Sequence, residues 1–237
     1  MISQYFDSYT IRARLTPCLV ATLPLAAAVL PYYDKSYGWG FFSLLFIQIS
    51  IAILVAQFSR DAGKQIQNEL FTDKMPHICF LRFRDPQYSF EKKQKLHEIL
   101  SYCCHSVQIS EETEKSDPKQ ADNVYSLWCD WLKQHVRKKE SFYLVQEENI
   151  NYGFRRNLYG LKRVWLLSLL LGILIFIINL FANSIIRAEN ITTFILILCS
   201  IFSYFRVTKE WTVMAANEYA SQLHLAALSI NIAEKAK

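Results

Sequence analysis

The chain lacks the sequence patterns of the common soluble enzymes. It contains no glycine-rich phosphate loop, no Gly-x-Ser-x-Gly nucleophile elbow and no His-Glu-x-x-His zinc motif. These patterns place a nucleophile, a phosphate cradle or a metal in a defined geometry, so their absence removes the main reasons to expect a hydrolase or a nucleotide-hydrolysing enzyme. The sequence therefore predicts a protein that is not an enzyme.

The cysteines and histidines form neither a secreted disulfide framework nor a regular zinc pattern. Four of the six cysteines fall between residues 60 and 163. Zinc sites usually pair ligands two to four residues apart in at least two places. The tight groups here are His77-Ile78-Cys79 and the adjacent Cys103-Cys104-His105. Adjacent ligands rarely close a tetrahedral site, so we predict buried, reduced thiols and no metal or other cofactor.

What the chain does contain is four long apolar runs without a charged residue. They are Leu15 to Tyr33, Ser36 to Ser59, Val164 to Ile186 and Asn190 to Phe205. A helix of about 20 residues spans the roughly 30 Å hydrocarbon core of a bilayer. The runs predict a membrane α-helical protein with two transmembrane hairpins, that is four spans, an inserted α+β cytoplasmic domain and a C-terminal amphipathic helix. The expected segments are 1–59, 60–163, 164–206 and 207–237.

Basic residues flank the runs unevenly, which predicts the orientation of the protein. Only Lys35 and Arg187 lie on one side of the predicted membrane. Basic residues concentrate on the cytoplasmic side of membrane proteins. We therefore predict a bacterial inner-membrane protein with both termini in the cytoplasm. The ten basic residues on the opposite side are Arg12, Arg14, Arg60, Lys64, Arg155, Arg156, Lys162, Arg163, Arg206 and Lys209.

Between the hairpins the chain reads as an ordinary soluble domain. Ile78 to Arg84 and Phe142 to Val145 are short apolar runs that predict strands. Helical spacing of apolar residues predicts helices over Glu91 to Cys104 and over Ala121 to Val136, with a loop over Gln108 to Gln120. After the last run, Thr208 to Ala236 predicts a long amphipathic helix that docks on the central domain or on another subunit.

The apolar runs carry neutral polar residues but no Asp, Glu, Lys, Arg or His. Ion-coupled transporters usually need an acid or base at mid-depth, so this absence argues against a transporter. Neutral amides and hydroxyls suit either helix–helix hydrogen bonds or the lining of a pore made by several copies. The polar residues that we single out for either role are Gln48, Ser50, Gln57, Asn179 and Asn183.

Basic residues with neighbouring aromatics form several clusters in the central segment. Arginine forks suit phosphate oxygens, and aromatic faces suit unstacked bases. The alternative reading is a solvated surface or contact with anionic lipid. The candidate ligand-binding residues are Arg82, Arg84, Lys92, Lys93, Arg137, Lys138, Arg155 and Arg156.

Several short segments give the chain a resemblance to a known group of proteins. The most specific is Glu148-Asn149-Ile150 with Tyr152 to Leu158; the others are Arg12-Ala13-Arg14-Leu15, Arg60-Asp61 with Gly63-Lys64, Leu81-Arg82 with Arg84-Asp85, Asp117-Pro118 with Ala121-Asp122, and Trp131-Leu132. The chain resembles small bacterial four-helix membrane proteins of anti-phage defence loci, most closely the transmembrane effectors of the Hailong system. Lys74-Met75 departs from the glycines expected before Pro76.

The resemblance implies a homo-oligomeric channel, with a homotetramer as the expected assembly, that works beside a nucleotidyltransferase. The oligonucleotide or nucleotide made by that partner would bind the cytoplasmic domain and gate the channel. The alternative function is a non-conducting membrane sensor or scaffold that recruits a soluble effector. A continuous opening between subunits would distinguish the channel from the scaffold.

Overall fold

The computed structural model describes residues 8–29, 40–137, 140–182 and 188–230. These residues form helices joined by turns and short loops, and no strand occurs among them. The α-helices are α1 (Thr16–Val29), α2 (Gly40–Leu70), α3 (Pro76–Cys79), α4 (Phe90–Cys103), α5 (Glu111–Ser116), α6 (Pro118–Val136), α7 (Tyr143–Gly160), α8 (Lys162–Ala182), α9 (Ala188–Arg206) and α10 (Lys209–Leu228). A π-helical segment, Thr10–Leu15, precedes α1, and a 3₁₀ helix, Glu140–Phe142, precedes α7.

The predicted α+β domain is wrong, because both expected strands are helical or turned. Pro76 begins α3, and successive turns follow it, with the Arg82 amide donating to the Cys79 carbonyl at 3.0 Å. Phe142 ends the 3₁₀ helix and the next three residues begin α7. A short apolar run fits a buried helical turn as well as a strand, and local turn hydrogen bonds decide between them here.

The prediction of four spans is also wrong. Two helical stretches among the described residues are long and apolar enough to cross a membrane, Thr10–Val29 and Lys162–Ala182. A third arises only if Glu189–Arg206 and Lys209–Leu228, which are bent by 67°, form one broken span. Helix α2 contains the second predicted span, but after Ser59 the same helix continues with charged residues. Helix α9 contains the fourth predicted span, and Asn, Thr and Ser residues interrupt its apolar side chains.

The chain divides into two compact units, each of which combines distant parts of the sequence. The first unit comprises Met1–Leu70 and Ile150–Thr212, and the second comprises Phe71–Asn149 and Val213–Lys237. The apolar helices that could cross a membrane therefore belong to the first unit. The C-terminal helix was predicted to dock on the central domain or on another subunit, and α10 from Val213 onward belongs to the same unit as the central segment Phe71–Asn149.

Helix packing in the first unit depends on close backbone approach between α1 and α8. A Cβ atom at Gly172 would lie 2.7 Å from the Pro24 carbonyl oxygen, so only glycine allows this contact. The Leu25 amide donates to the Ser168 hydroxyl at 3.2 Å, beside a proline that interrupts the hydrogen bonding of α1. Trp165 donates from its indole nitrogen to the Ser200 hydroxyl at 2.8 Å, which joins α8 to α9.

The core of the second unit is built from aromatic and aliphatic side chains of α4, α6 and α10. Trp128, Leu100 and Leu223 are fully buried in it. The ring of His97 packs against Tyr125 and Trp128, whose ring centroids each lie 5.1 Å from its own. On α10, His224 donates from Nε2 to the His77 carbonyl at 2.9 Å. The helical period predicted for α4 and α6 corresponds to apolar residues that this core buries, namely Leu96, Ile99, Leu100, Tyr125, Trp128 and Leu132, whereas Val124 and Trp131 are half-buried.

Candidate functional site

Arg82, a predicted ligand-binding residue, lies inside the second unit and is paired there. The residue is 6% exposed. Its Nε and Nη2 atoms donate to the two carboxylate oxygens of Asp122 at 2.8 and 2.9 Å, and Nη1 pairs with Asp73. The hydrogen bond from Arg82 lowers the pKa of Asp73. All three guanidinium nitrogens are thus engaged inside the protein, and we remove Arg82 from the candidate ligand surface.

Arg84 differs from Arg82 because part of its side chain reaches the surface. That side chain is 43% exposed, while Nη1 donates to Glu114 Oε1 at 2.8 Å and Nη2 to Asp122 Oδ1 at 3.2 Å. Glu114 itself is buried and accepts hydrogen bonds from the Phe83 amide and the Tyr125 hydroxyl. Burial raises the pKa of Glu114, but these hydrogen bonds outweigh it and hold that pKa below its ordinary value. The acids fix the position of Arg84 while leaving one side open to solvent.

The start of α4 places further cations and an aromatic ring near Arg84. Lys93 is buried, and its ammonium donates to the backbone carbonyls of Phe83 and Asp85, which holds α4 against the segment that carries Arg84. Lys92 is half-buried, with its Nζ atom 3.4 Å from the centroid of the Tyr88 ring. Partial burial lowers the pKa of Lys92.

Phe90 is the first residue of α4 and is 52% exposed. Its ring centroid lies 5.5 Å from that of Phe83. Lys95, on the same helix, is exposed. The segment from Arg84 to Lys95 therefore combines an open aromatic face with cations, and we call it the α4 surface. Four basic residues and two acidic ones lie in this segment, which gives it a formal charge of +2.

The remaining predicted basic residues fall in other places. Arg137 is exposed at the end of α6, away in sequence from the α4 surface. Lys138 lies outside the described residues. Arg155 and Arg156 are half-buried on α7 in the first unit. The structure therefore divides the seven predicted residues that it describes between the two units.

Arg156 belongs to a buried polar network that sequence reasoning did not predict. It donates to Gln67 Oε1 at 2.7 Å and to Asn157 Oδ1 at 3.3 Å. Asn157 is 1% exposed and donates to the Ala13 carbonyl at 2.7 Å, within the π-helical segment. A Cβ atom at Gly63 would collide with Asn157 Oδ1. The network fastens α7 to α2 and to the segment before α1, so its role is to hold the first unit together.

Arg155 and Lys162 stabilise the bend that follows α9. Arg155 Nη1 donates to the Trp211 carbonyl at 3.0 Å, and its guanidinium carbon lies 4.6 Å from the centroid of the Trp211 ring. Lys162 donates to the Val207 carbonyl at 2.9 Å. Val207 directly follows the last residue of α9, and a cation near a helix C-terminus pairs with carbonyls there that lack partners within the helix.

The neutral polar residues predicted for pore or packing roles have different surroundings. Asn179 is buried at 1% exposure, which places it inside the first unit. Gln48 and Ser50 are half-buried and Gln57 is exposed, all on α2. The Ser50 hydroxyl donates to the Phe46 carbonyl of its own helix at 2.8 Å. Asn183 lies outside the described residues.

The cysteines and histidines do not come together as a metal site. No group of three or more His, Cys, Asp or Glu side chains that could hold a metal ion occurs in the described ranges. Cys129 donates from its thiol to the His77 carbonyl at 3.0 Å, and burial raises the pKa of that thiol to about 12. Such a group stays protonated at neutral pH and is a poor nucleophile or metal ligand.

Sequence reasoning missed Asp122, which pairs with Arg82 and Arg84, and Glu114, which pairs with Arg84. It also missed Asn157, which joins α7 to the segment before α1. Asp122 was noted only as part of a short motif. The sequence around a buried acid does not show which distant residue it pairs with. The chain matches no protein-family profile, no curated protein and no solved structure.

Proposed function

We propose that the chain is a homo-oligomeric membrane channel of anti-phage defence, gated when its second unit binds a single-stranded oligonucleotide or another anionic nucleotide. The observation that carries this proposal is the α4 surface, a segment that holds both the open ring of Phe90 and the partly exposed cation of Arg84. It occurs in a chain whose first unit contains helices able to cross a membrane. The resemblance to the defence effectors supplies the ligand class and the partner nucleotidyltransferase.

The chemistry of the α4 surface suits a single strand better than a duplex. Aromatic side chains stack on bases without regard to sequence, and cations beside them contact the phosphates. The Phe90 ring provides the stacking face, while Arg84, Lys92 and Lys95 provide positive charge. A formal charge of +2 over the segment is small, so binding would depend on stacking as much as on attraction to phosphate.

Membrane insertion with the second unit in the cytoplasm is part of the proposal. The excess of basic residues beside the apolar runs supports a bacterial inner-membrane location. Because Phe71–Asn149 and Val213–Lys237 belong to one unit, we place both on the cytoplasmic side, where the ligand is made. A reporter fused after Lys237 and one inserted near Lys115 should both be active only in the cytoplasm. An externally active reporter at Lys115 would contradict this orientation.

Oligonucleotide affinity at several salt concentrations tests the ligand surface. Arg84→Ala and Lys95→Ala should each lower affinity and reduce the slope of log affinity against log salt by about 0.7 for each phosphate that the variant no longer neutralises. Phe90→Ala should lower affinity and leave the slope unchanged, because stacking releases no counterions. Lys119→Ala, an exposed lysine of α6, is the matched control. Equal affinities for all four variants and the parent would exclude the α4 surface.

Ion flux from vesicles tests conduction separately. The purified protein should pass ions, and an oligonucleotide that binds the second unit should change the flux. Binding without any flux would reject the channel and favour a non-conducting sensor or scaffold.

A further inference from the structure

The start of α8 and the end of α9 lie together, and basic residues are concentrated there. The Lys162 ammonium donates to the Val207 carbonyl at 2.9 Å, which joins the two helix ends. We call residues 155–163 and 204–212 the α8–α9 junction; both stretches belong to the first unit. The junction contains six basic residues and one acidic residue, which gives it a formal charge of +5. This end of the helix pair is therefore strongly positive.

The fold uses only some of these basic residues. Three of the six donate hydrogen bonds inside the first unit, namely Arg155, Arg156 and Lys162. Arg163 and Arg206 are exposed instead, and neither forms an ion pair with an acid in the ranges that the structure describes. Lys209 is also exposed, but it directly precedes Glu210, the one acid of the junction. The two guanidinium groups are therefore available to bind an anion.

Exposed apolar side chains share a helix face with each of these arginines. Leu167 follows Arg163 by four residues on α8 and is 58% exposed. Phe202 precedes Arg206 by four residues on α9 and is 69% exposed. Residues four apart are neighbours on the surface of a helix. Because Lys162–Ala182 is long and apolar enough to cross a membrane, Arg163 lies at the end of that stretch, at the level of the lipid headgroups.

Aromatic rings hold the two helix ends at one level. The Tyr204 ring meets the Trp165 ring edge-on, with 5.6 Å between the ring centroids. The Lys162 Nζ atom lies 4.4 Å from the centroid of the same Tyr204 ring. Tyrosine and tryptophan are enriched at the boundary between the hydrocarbon and the headgroups. Arg163 and Arg206 directly adjoin Lys162 and Val207 in the chain, so both arginines extend from this level.

We propose that the α8–α9 junction binds the headgroup of an anionic phospholipid, with Arg163 and Arg206 at the phosphate and the acyl chains along Leu167 and Phe202. Guanidinium forks match phosphate oxygens, and the neighbouring apolar side chains match hydrocarbon tails. A ligand with both parts complements the whole surface, whereas a nucleic acid complements only the cations. The inference rests on insertion of α8 into a membrane, which is part of the proposed function, and needs neither a channel nor an oligonucleotide.

Spin-labelled lipids measure the preference in phosphatidylcholine vesicles that contain the whole protein. The parent should bind spin-labelled phosphatidylglycerol in preference to spin-labelled phosphatidylcholine. Arg163→Gln and Arg206→Gln should each lower this preference by up to about fivefold, the effect of one basic residue at a membrane surface, and the double variant should lower it further. Equal association of the two lipids with the parent, or an unchanged preference in the double variant, would overturn the proposal.

The double variant Arg12→Gln/Lys64→Gln is the matched control. It removes the same charge from two exposed positions of the first unit that lie outside the junction. It should retain most of the preference for phosphatidylglycerol, because a defined site depends on particular residues and not on total charge. Equal losses in the two double variants would show general attraction to a negative surface and would reject the site.

Alkaline carbonate extraction of the phosphatidylcholine vesicles tests insertion separately. Protein that carbonate removes from the vesicles would overturn both the insertion and the lipid site. Protein that stays in the vesicles but associates equally with both lipids would overturn the site alone. Affinity for a single-stranded oligonucleotide should be the same for Arg163→Gln/Arg206→Gln and the parent. A loss of that affinity with an intact lipid preference would instead assign the two arginines to nucleic acid.

Discussion

Replacing Asp122 with alanine tests whether the paired charges of Arg82 and Asp122 hold the second unit together. The side chains of Arg82 and Asp122 are only 8% and 12% exposed, and two hydrogen bonds of 2.8 and 2.9 Å join them. The substitution leaves a buried guanidinium with Asp73, whose side chain is 68% exposed, and removes one partner of Arg84. Breaking a buried pair by removing one partner costs roughly 3–5 kcal/mol.

Hydrogen exchange of the α6 backbone amides measures this loss without requiring reversible unfolding of the whole chain. Since each 1.4 kcal/mol is tenfold, exchange through opening of the second unit should accelerate by about two to nearly four orders of magnitude. The Arg82→Met/Asp122→Leu double variant should recover most of the protection, because no buried charge is left alone.

Asp130→Ala provides the matched control. Asp130 is an exposed acid on the same helix, paired with Lys133 at 3.1 Å. Exposed pairs contribute only about 0–1 kcal/mol, so exchange should change little in this variant. If Asp122→Ala and Asp130→Ala accelerate exchange equally, the buried network does not stabilise the second unit and the reasoning fails.

Three further predictions concern packing and pH. Gly172→Ala should destabilise the first unit by about 1–3 kcal/mol through overpacking, because the new Cβ atom meets the Pro24 carbonyl oxygen. Leu170→Ala, at an exposed position of α8, is the control and should not destabilise the unit by this mechanism. Thermal unfolding in detergent compares the two variants. Asn157→Ala should cost about 1–3 kcal/mol in the same assay, because the buried Ala13 carbonyl loses its donor; an unchanged midpoint would remove Asn157 from the network. Burial lowers the pKa of His77 and of His97 below the ordinary value of about 6.5, so near and below that pH the unfolded chain binds more protons than the folded one. The second unit should therefore lose stability as the pH falls below that value. Exchange of α4 amides at two pH values measures this loss, and an unchanged stability would contradict the prediction.

The sequence was most informative where apolar residues repeat with the helical period. Glu91 to Cys104 and Ala121 to Val136 were predicted as helices and correspond closely to α4 and α6. The predicted loop, by contrast, contains α5. Ser110 caps that helix by accepting a hydrogen bond from the Thr113 amide, and acidic residues fill its first turn. Those capping signals were present in the sequence, but the segment has no apolar period to draw attention to them.

The pairing of charges could not be predicted, because it depends on contacts between residues far apart in the chain. On a strand, Arg82 and Arg84 would point to one side, and that reading suggested an exposed pair for phosphate. In the turn that follows α3 they instead reach Glu114 and Asp122, some thirty to forty residues further along the chain. A single sequence shows which residues are charged but not which of them pair in the fold.

The segments that carry the resemblance contact one another inside each unit. Arg82 pairs with Asp122 in the second unit, and Asn157 binds the Ala13 carbonyl in the first. Such residues are constrained by their partners inside the fold, so their recurrence in related proteins would follow from packing and says little about ligand. Residues that contact a ligand need an open face, which Phe90 and Lys95 have and Arg82 does not. Of the proposed binding positions, Phe90, Lys92 and Lys95 therefore lie outside the segments that suggested the function, and Arg84 lies within one of them.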